Sequence, residues 1–179
     1  MIRKIFIGFI LVTFLTVTFN LPIVKADELI DLGLDQAKIE NIKASCTTLT
    51  ASLNQLHASD GVLRVNRGQA YETVSKRLIT VFNARVASNS LDGSSMVAIA
   101  ANYDKALFAF KMDYKSYEDA LKETIKTDCN KEPVEFYKHL KTAREARKKV
   151  HEDVLVLHAQ LNDYGQTFRK FKKQILETK

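Results

Sequence analysis

Cysteine and proline each occur only twice in these 179 residues, and the motifs that mark the common enzyme chemistries are missing. There is no GxSxG, no SxxK and no Gly-rich phosphate loop, which excludes nucleophile-elbow hydrolysis, penicillin-binding-type acyl transfer and P-loop nucleotide chemistry. No CxxC occurs, so neither a thioredoxin-type redox pair nor covalent haem attachment is indicated. The four histidines, His57, His139, His151 and His158, form no HExxH, no i to i+4 pair and no Glu-x-x-His, the spacings that zinc and di-iron helices need. RRM, zinc-finger and helix-turn-helix signatures are also lacking, which excludes the common modes of sequence-specific nucleic-acid reading. Solenoid-period repeats and low-complexity tracts are absent as well. These gaps lead to the expectation of a protein that is not an enzyme and holds no cofactor or metal.

What is present begins with a secretory leader. Arg3 and Lys4 precede an apolar run from Ile5 to Phe19, and Asn20, Pro22 and the Val24-Lys25-Ala26 ending complete the tripartite pattern. Pro22 and the small residue at Ala26 favour cleavage there over an uncleaved anchor. No second long apolar run follows, so no stable membrane insertion is expected once the leader is gone. Three of the 27 basic residues lie in this leader and no acidic one does, so the formal +6 of the whole chain falls by three on cleavage. The remaining surplus belongs to residues 111–179, with sixteen basic and twelve acidic side chains.

Export makes an oxidising environment the expectation, and there an even cysteine count reads as a Cys46–Cys129 disulfide. Heptad seams organise the rest of the chain. The clearest runs through Met96, Ala100, Tyr103, Leu107, Phe110, Tyr114, Tyr117 and Leu121, in alternating steps of three and four. An earlier seam runs Ile39, Ile42, Cys46, Leu49, Leu53, Leu56, Leu63, Ala70, Val74 and Val81. It defines a first helix from a cap at Asp35 to about Ala87, with Gly61 and Gly68 placing a kink or break near Asp60-Gly61. The loop Ser88 to Gly93, with Asp92 or Ser94 as cap, leads into the middle helix, which ends near Thr127. Pro133 suits the first turn of a third helix, whose seam runs Phe136, Leu140, Ala143, Arg147, Val150, Val154, Leu157, Leu161, Tyr164, Phe168, Phe171 and Ile175. Midway between the cysteines lies the Ala87–Ser88 bond, at the edge of the expected loop, so a hairpin fold-back there brings the two sulfurs level. The expected architecture is an all-α, elongated antiparallel three-helix bundle, coiled-coil-like and stapled by one inter-helix disulfide. It comprises residues 36–179, behind a 1–26 signal peptide and a short lead at 27–35.

Three groups of side chains are candidates for a role. Arg67 and Arg147 both fall where their seams call for an apolar residue, and a first-to-third helix offset of about 85 residues sets Arg67 level with Glu152 and Asp153. These four define a buried charged layer that sets register, unless the arginine stems reach water or the layer is a pocket. Lys138, Lys141, Arg144, Lys148, Lys149, Arg169, Lys170, Lys172 and Lys173 form a basic face on the third helix. Such a face is ordinarily solvated; its functional reading is an anion-binding surface. Tyr103, Tyr114, Tyr117 and Tyr164 read as core residues with hydroxyls at the rim, the alternative being a ligand-stacking box.

Cys46, the Leu63-Arg64-Val65-Asn66-Arg67 stretch, Tyr103, Tyr114, Tyr117, Asp128-Cys129 and Phe136-Tyr137 together resemble an uncharacterised group of small exported bacterial helical proteins. That resemblance implies export and a helical fold, with no mechanism attached. The functional expectation is an exported interaction or structural module at the bacterial cell envelope, periplasmic, cell-surface or secreted, with a protein partner. The alternative is a periplasmic chaperone, or a binder of nucleic acid or another anionic polymer through the basic faces of the third helix. Composition is similar to that of the jellyfish-shaped periplasmic chaperones, while the LTxxQ motif of another bundle-like periplasmic class is missing.

Overall fold

The computed structural model describes residues 32–177, all of whose regular structure is helical. The expected leader lies outside the described residues. Asp35 opens α1, Gln36–Ala44, its Oδ1 accepting the Lys38 backbone N–H at 2.8 Å. Ser45 interrupts the path, and α2, Cys46–Thr73, then continues through a six-residue π-helical segment, Val74–Ile79, into α3, Thr80–Ser88. The loop follows as expected, Asp92 Oδ1 accepting the Ser94 N–H, before α4, Ser94–Lys126. Pro133 opens α5, which runs to Glu177 and is about 68 Å long at 1.5 Å per residue.

Among the described residues, four helical rods therefore stand where three were expected: α1, the continuous α2–π–α3 rod, α4 and α5. Two corrections follow. The break falls at Ser45, whereas α2 passes through Gly61 and Gly68 without interruption. Each glycine costs on the order of 1 kcal/mol against Ala, and a helix held by packing on both sides of them absorbs that cost.

The middle seam is the core. Met96, Tyr103, Leu107, Phe110, Tyr114, Tyr117 and Leu121 are all buried, with Ala100 partly so. Ala143 and Leu157 of α5 and Tyr71 and Ile79 of the first rod close around them. At one end Cys46 and Cys129 are bonded, with Cα atoms 5.5 Å apart, and they pack on the fully buried Phe136. Beyond the bridge, α1 docks through Ile39 beside Leu34 and Val134. Toward the other end, the Phe82 ring meets Phe168 and Phe171 edge-on.

The first rod follows its expected seam as far as Leu56 and again at Val74, which is half-buried against the core. Leu63 and Val81 are exposed, and the buried set resumes one residue later at Tyr71 and Ser75. From Asp60 to Tyr71 is about three turns of a straight helix, whose 3.6-residue period drifts off a strict heptad. The π segment then accommodates the shifted register.

Candidate functional site

Polar bonds from aromatic side chains hold the first rod against α4 and α5. The Tyr103 hydroxyl donates to the Tyr71 carbonyl at 3.1 Å, supplying a donor next to the π segment, where the backbone ladder changes register. Tyr71 Oη lies 3.2 Å from His158 Nε2, and Tyr164 donates to Asn83 Oδ1 at 2.7 Å. The Tyr71–His158 and Asn83–Tyr164 pairs are 87 and 81 positions apart, close to the offset anticipated from the sequence.

Asp60 is the hub of this system. Its carbonyl accepts from the Tyr114 hydroxyl at 2.9 Å, and its Oδ2 accepts from the Tyr117 hydroxyl at 2.6 Å. Arg147 Nε approaches the same Oδ2 at 3.6 Å. With its side chain only 14% exposed, Asp60 is a largely buried carboxylate that owes its place to these partners. Burial is the main force raising the Tyr117 hydroxyl above its usual range, with the hydrogen bond to Asp60 and that residue's charge adding to it. Burial likewise raises Tyr114, partly offset by the Arg64 charge, while Tyr103 is pushed up to about 12. All three phenols are consequently donors at any physiological pH.

Beside this hub α2 stands off from the α4–α5 pair, leaving a cleft of about 490 Å³. Its floor is apolar and aromatic: Leu63, Phe110, Tyr114, Tyr117, Val150 and Val154. Five cations surround it, Arg64, Arg67, Arg144, Arg147 and Lys148, together with His151, against Asp60 as the single lining carboxylate. Arg64 lies 5.1 Å over the Tyr114 ring and pairs with Glu118 at 3.7 Å, while Lys148 pairs with Glu152 at 3.8 Å. Arg67 and Arg144 are exposed and have no ion pair or hydrogen bond among the described residues. Two uncompensated guanidinium groups thus border an apolar floor.

The residues singled out from the sequence are distributed as follows. Cys46 and Cys129 form the bridge. The buried charged layer is not assembled in the form anticipated. Arg67 and Arg147 are exposed, Arg147 turns to Asp60, and Glu152 is exposed and paired with Lys148. Asp153 is half-buried, with Oδ2 cut off from solvent and without a hydrogen-bond donor. It faces another carboxyl, Asp113 of α4, and burial together with that neighbour pushes it up to about 6.

The basic face of α5 is divided. Arg144 and Lys148 line the cleft, whereas Lys138 is close to Glu135 at 3.5 Å and Lys173 to Glu177 at 3.6 Å. Lys141, Lys149, Arg169, Lys170 and Lys172 are exposed outside the cleft. No group of three or more metal-ligating side chains occurs among the described residues, and no described helix is long and apolar enough to cross a membrane. No protein-family model, curated protein or solved structure matches this chain.

Proposed function

We propose that this protein is an exported, non-enzymatic helical binding module of the cell envelope, and that its partner is anionic and engages the cleft between α2 and α5. We read its finer architecture as an elongated antiparallel three-helix bundle with coiled-coil-like seams, to which α1 is appended. The observation that carries the functional reading is the gathering of five cations and one carboxylate around the cleft, two of the cations, Arg67 and Arg144, having no ion pair among the described residues. Gathering like charges is unfavourable in the free protein, and an anion relieves it.

The test is binding of inorganic polyphosphate, followed by fluorescence anisotropy of a labelled chain at several salt concentrations. Binding should weaken steeply with salt, and the Arg67→Gln/Arg144→Gln variant should bind more weakly, with a shallower slope by about two. Salt-insensitive binding, or an unchanged slope in the variant, overturns the anionic reading. A second reading, a chaperone, draws on the exposed Phe108 and Met112 one turn apart on α4. Suppression of aggregation of a denatured client, lost in Phe108→Ser, would support it; no suppression by the intact protein would remove it.

A further inference from the structure

We infer that the cleft is a discrete site for a single small amphipathic anion: one carboxylate, sulfate or phosphate head on an apolar body of aromatic or short acyl size. This deepens the functional reading above and rests on it. A purely ionic surface would not need the floor this cleft has. Phe110 and Tyr114 are buried core side chains whose rings reach the cleft, and Leu63, 47% exposed, lines it from α2. The apolar surface left bare toward the solvent is therefore that of Leu63 and the half-buried Val150 and Val154, above those rings, where two guanidinium groups are unpaired.

The polar inventory narrows the ligand further. The Tyr114 and Tyr117 hydroxyls are both committed to Asp60, and the Asp60 carboxylate accepts from Tyr117 and faces Arg147. The available polar groups are therefore cationic donors at the rim, with few acceptors facing the cavity. A neutral sugar or a cation would leave its donors without partners; an anionic head satisfies the arginines and its body covers the floor. A volume of about 490 Å³ is in the range of small-molecule sites. Because the cleft is built by tertiary hydrogen bonds rather than by mobile surface lysines, its shape exists before the ligand arrives. Arg64, already stacked on Tyr114, forms one wall.

The experiment uses the full chain and the fluorescent probe 8-anilinonaphthalene-1-sulfonate, competed with decanoate and, separately, with 1-decanol. One probe should bind per chain, and decanoate should displace it at a concentration at least tenfold below that of decanol. In Arg67→Gln/Arg144→Gln that preference should shrink to less than threefold with the decanol curve unmoved. Leu63→Glu, at an exposed position that leaves the core intact, should weaken binding of the probe and both competitors at least tenfold. Equal displacement by decanoate and decanol overturns the proposal, as do several probes per chain or wild-type behaviour in Leu63→Glu. Displacement from phosphatidylglycerol vesicles without displacement by free decanoate would place recognition at a lipid surface and likewise overturn it. Polyphosphate binding that decanoate does not compete would leave the anionic reading standing while this one fails; one-to-one decanoate binding without polyphosphate binding would exclude the polymer.

Discussion

Replacing Asp153 by Asn should stabilise the protein at neutral pH and flatten its pH dependence. Asp153 Oδ2 is shut away from water with no donor, and Asp113 of α4 lies within hydrogen-bonding reach. Glu152 adds like charge and Lys149 opposes it, yet burial and Asp113 dominate, and the carboxyl is pushed up from 3.8 to about 6. Between those values the folded chain holds a proton that the unfolded chain has released, so this group's contribution to stability falls as pH rises. It is present in full below about pH 4 and is lost as pH passes through 6. A shift of that size corresponds to roughly 3 kcal/mol in the absence of screening, and solvent on the open side of the carboxyl reduces this to about 1–2 kcal/mol. The Asn amide donates to Asp113 without needing that proton. Urea unfolding of wild type and Asp153→Asn between pH 4 and 7.5 provides the comparison, because the carboxylates held low by lysines, such as Glu118 beside Lys122, act equally in both. The variant should gain about 1–2 kcal/mol relative to wild type on going from pH 4 to pH 7. Parallel profiles would refute the idea that the two carboxyls share one proton.

Other outcomes follow from the same contacts. Reduction, or the Cys46→Ser/Cys129→Ser pair, opens a loop of sequence separation 83 and should lower the unfolding free energy by up to about 4–5 kcal/mol, read from urea midpoints with and without reductant. Asp60→Ala leaves the Tyr117 hydroxyl without its acceptor and should cost about 1–3 kcal/mol; a change below about 0.5 in chemical denaturation would deny Asp60 its role as hub. Gly61→Ala and Gly68→Ala place a Cβ in open space and should each stabilise α2 by about 0.5–1 kcal/mol in the same assay, with loss of stability contradicting the uninterrupted helix. Gly93→Ala should destabilise measurably, since its Cβ would sit 2.8 Å from Cγ1 of the buried Val86.

Where the periodicity is strong, the sequence is a good guide to this fold. The Met96-to-Leu121 seam marks the buried face of α4 almost residue for residue, because an aromatic-rich stripe with polar residues between its members has one way to avoid water. The Cys46–Cys129 bridge was legible for a different reason: two cysteines allow one pairing, and the Ser88–Gly93 loop lies midway between them. A heptad extended past Leu56 fails at Leu63, Ala70 and Val81 because a straight helix does not keep a 3.5-residue repeat. The exposed Leu63 and the buried Tyr71 record the slip. Ser45 and the π segment leave little trace in composition. At the site, the basic residues were visible and their sorting was not. Asp60 occupies the seam position after Leu53 and Leu56, where a charged residue signals a buried partner, but Gly61 beside it drew the reading toward a helix break. The pairing of Asp153 with Asp113 instead of Arg67 depends on α4, which a comparison of the first and third helices alone leaves out.

The most direct measurement is amide hydrogen exchange of the full chain with and without polyphosphate, resolved by peptide. Occupation of the cleft should slow exchange in two segments distant in sequence, around Asp60–Gly68 of α2 and Arg144–His151 of α5, and spare the Arg169–Lys173 cluster. Protection confined to 169–173, or none in α2, would show that the anion rides on the end of α5 and that the cleft is not where this protein binds.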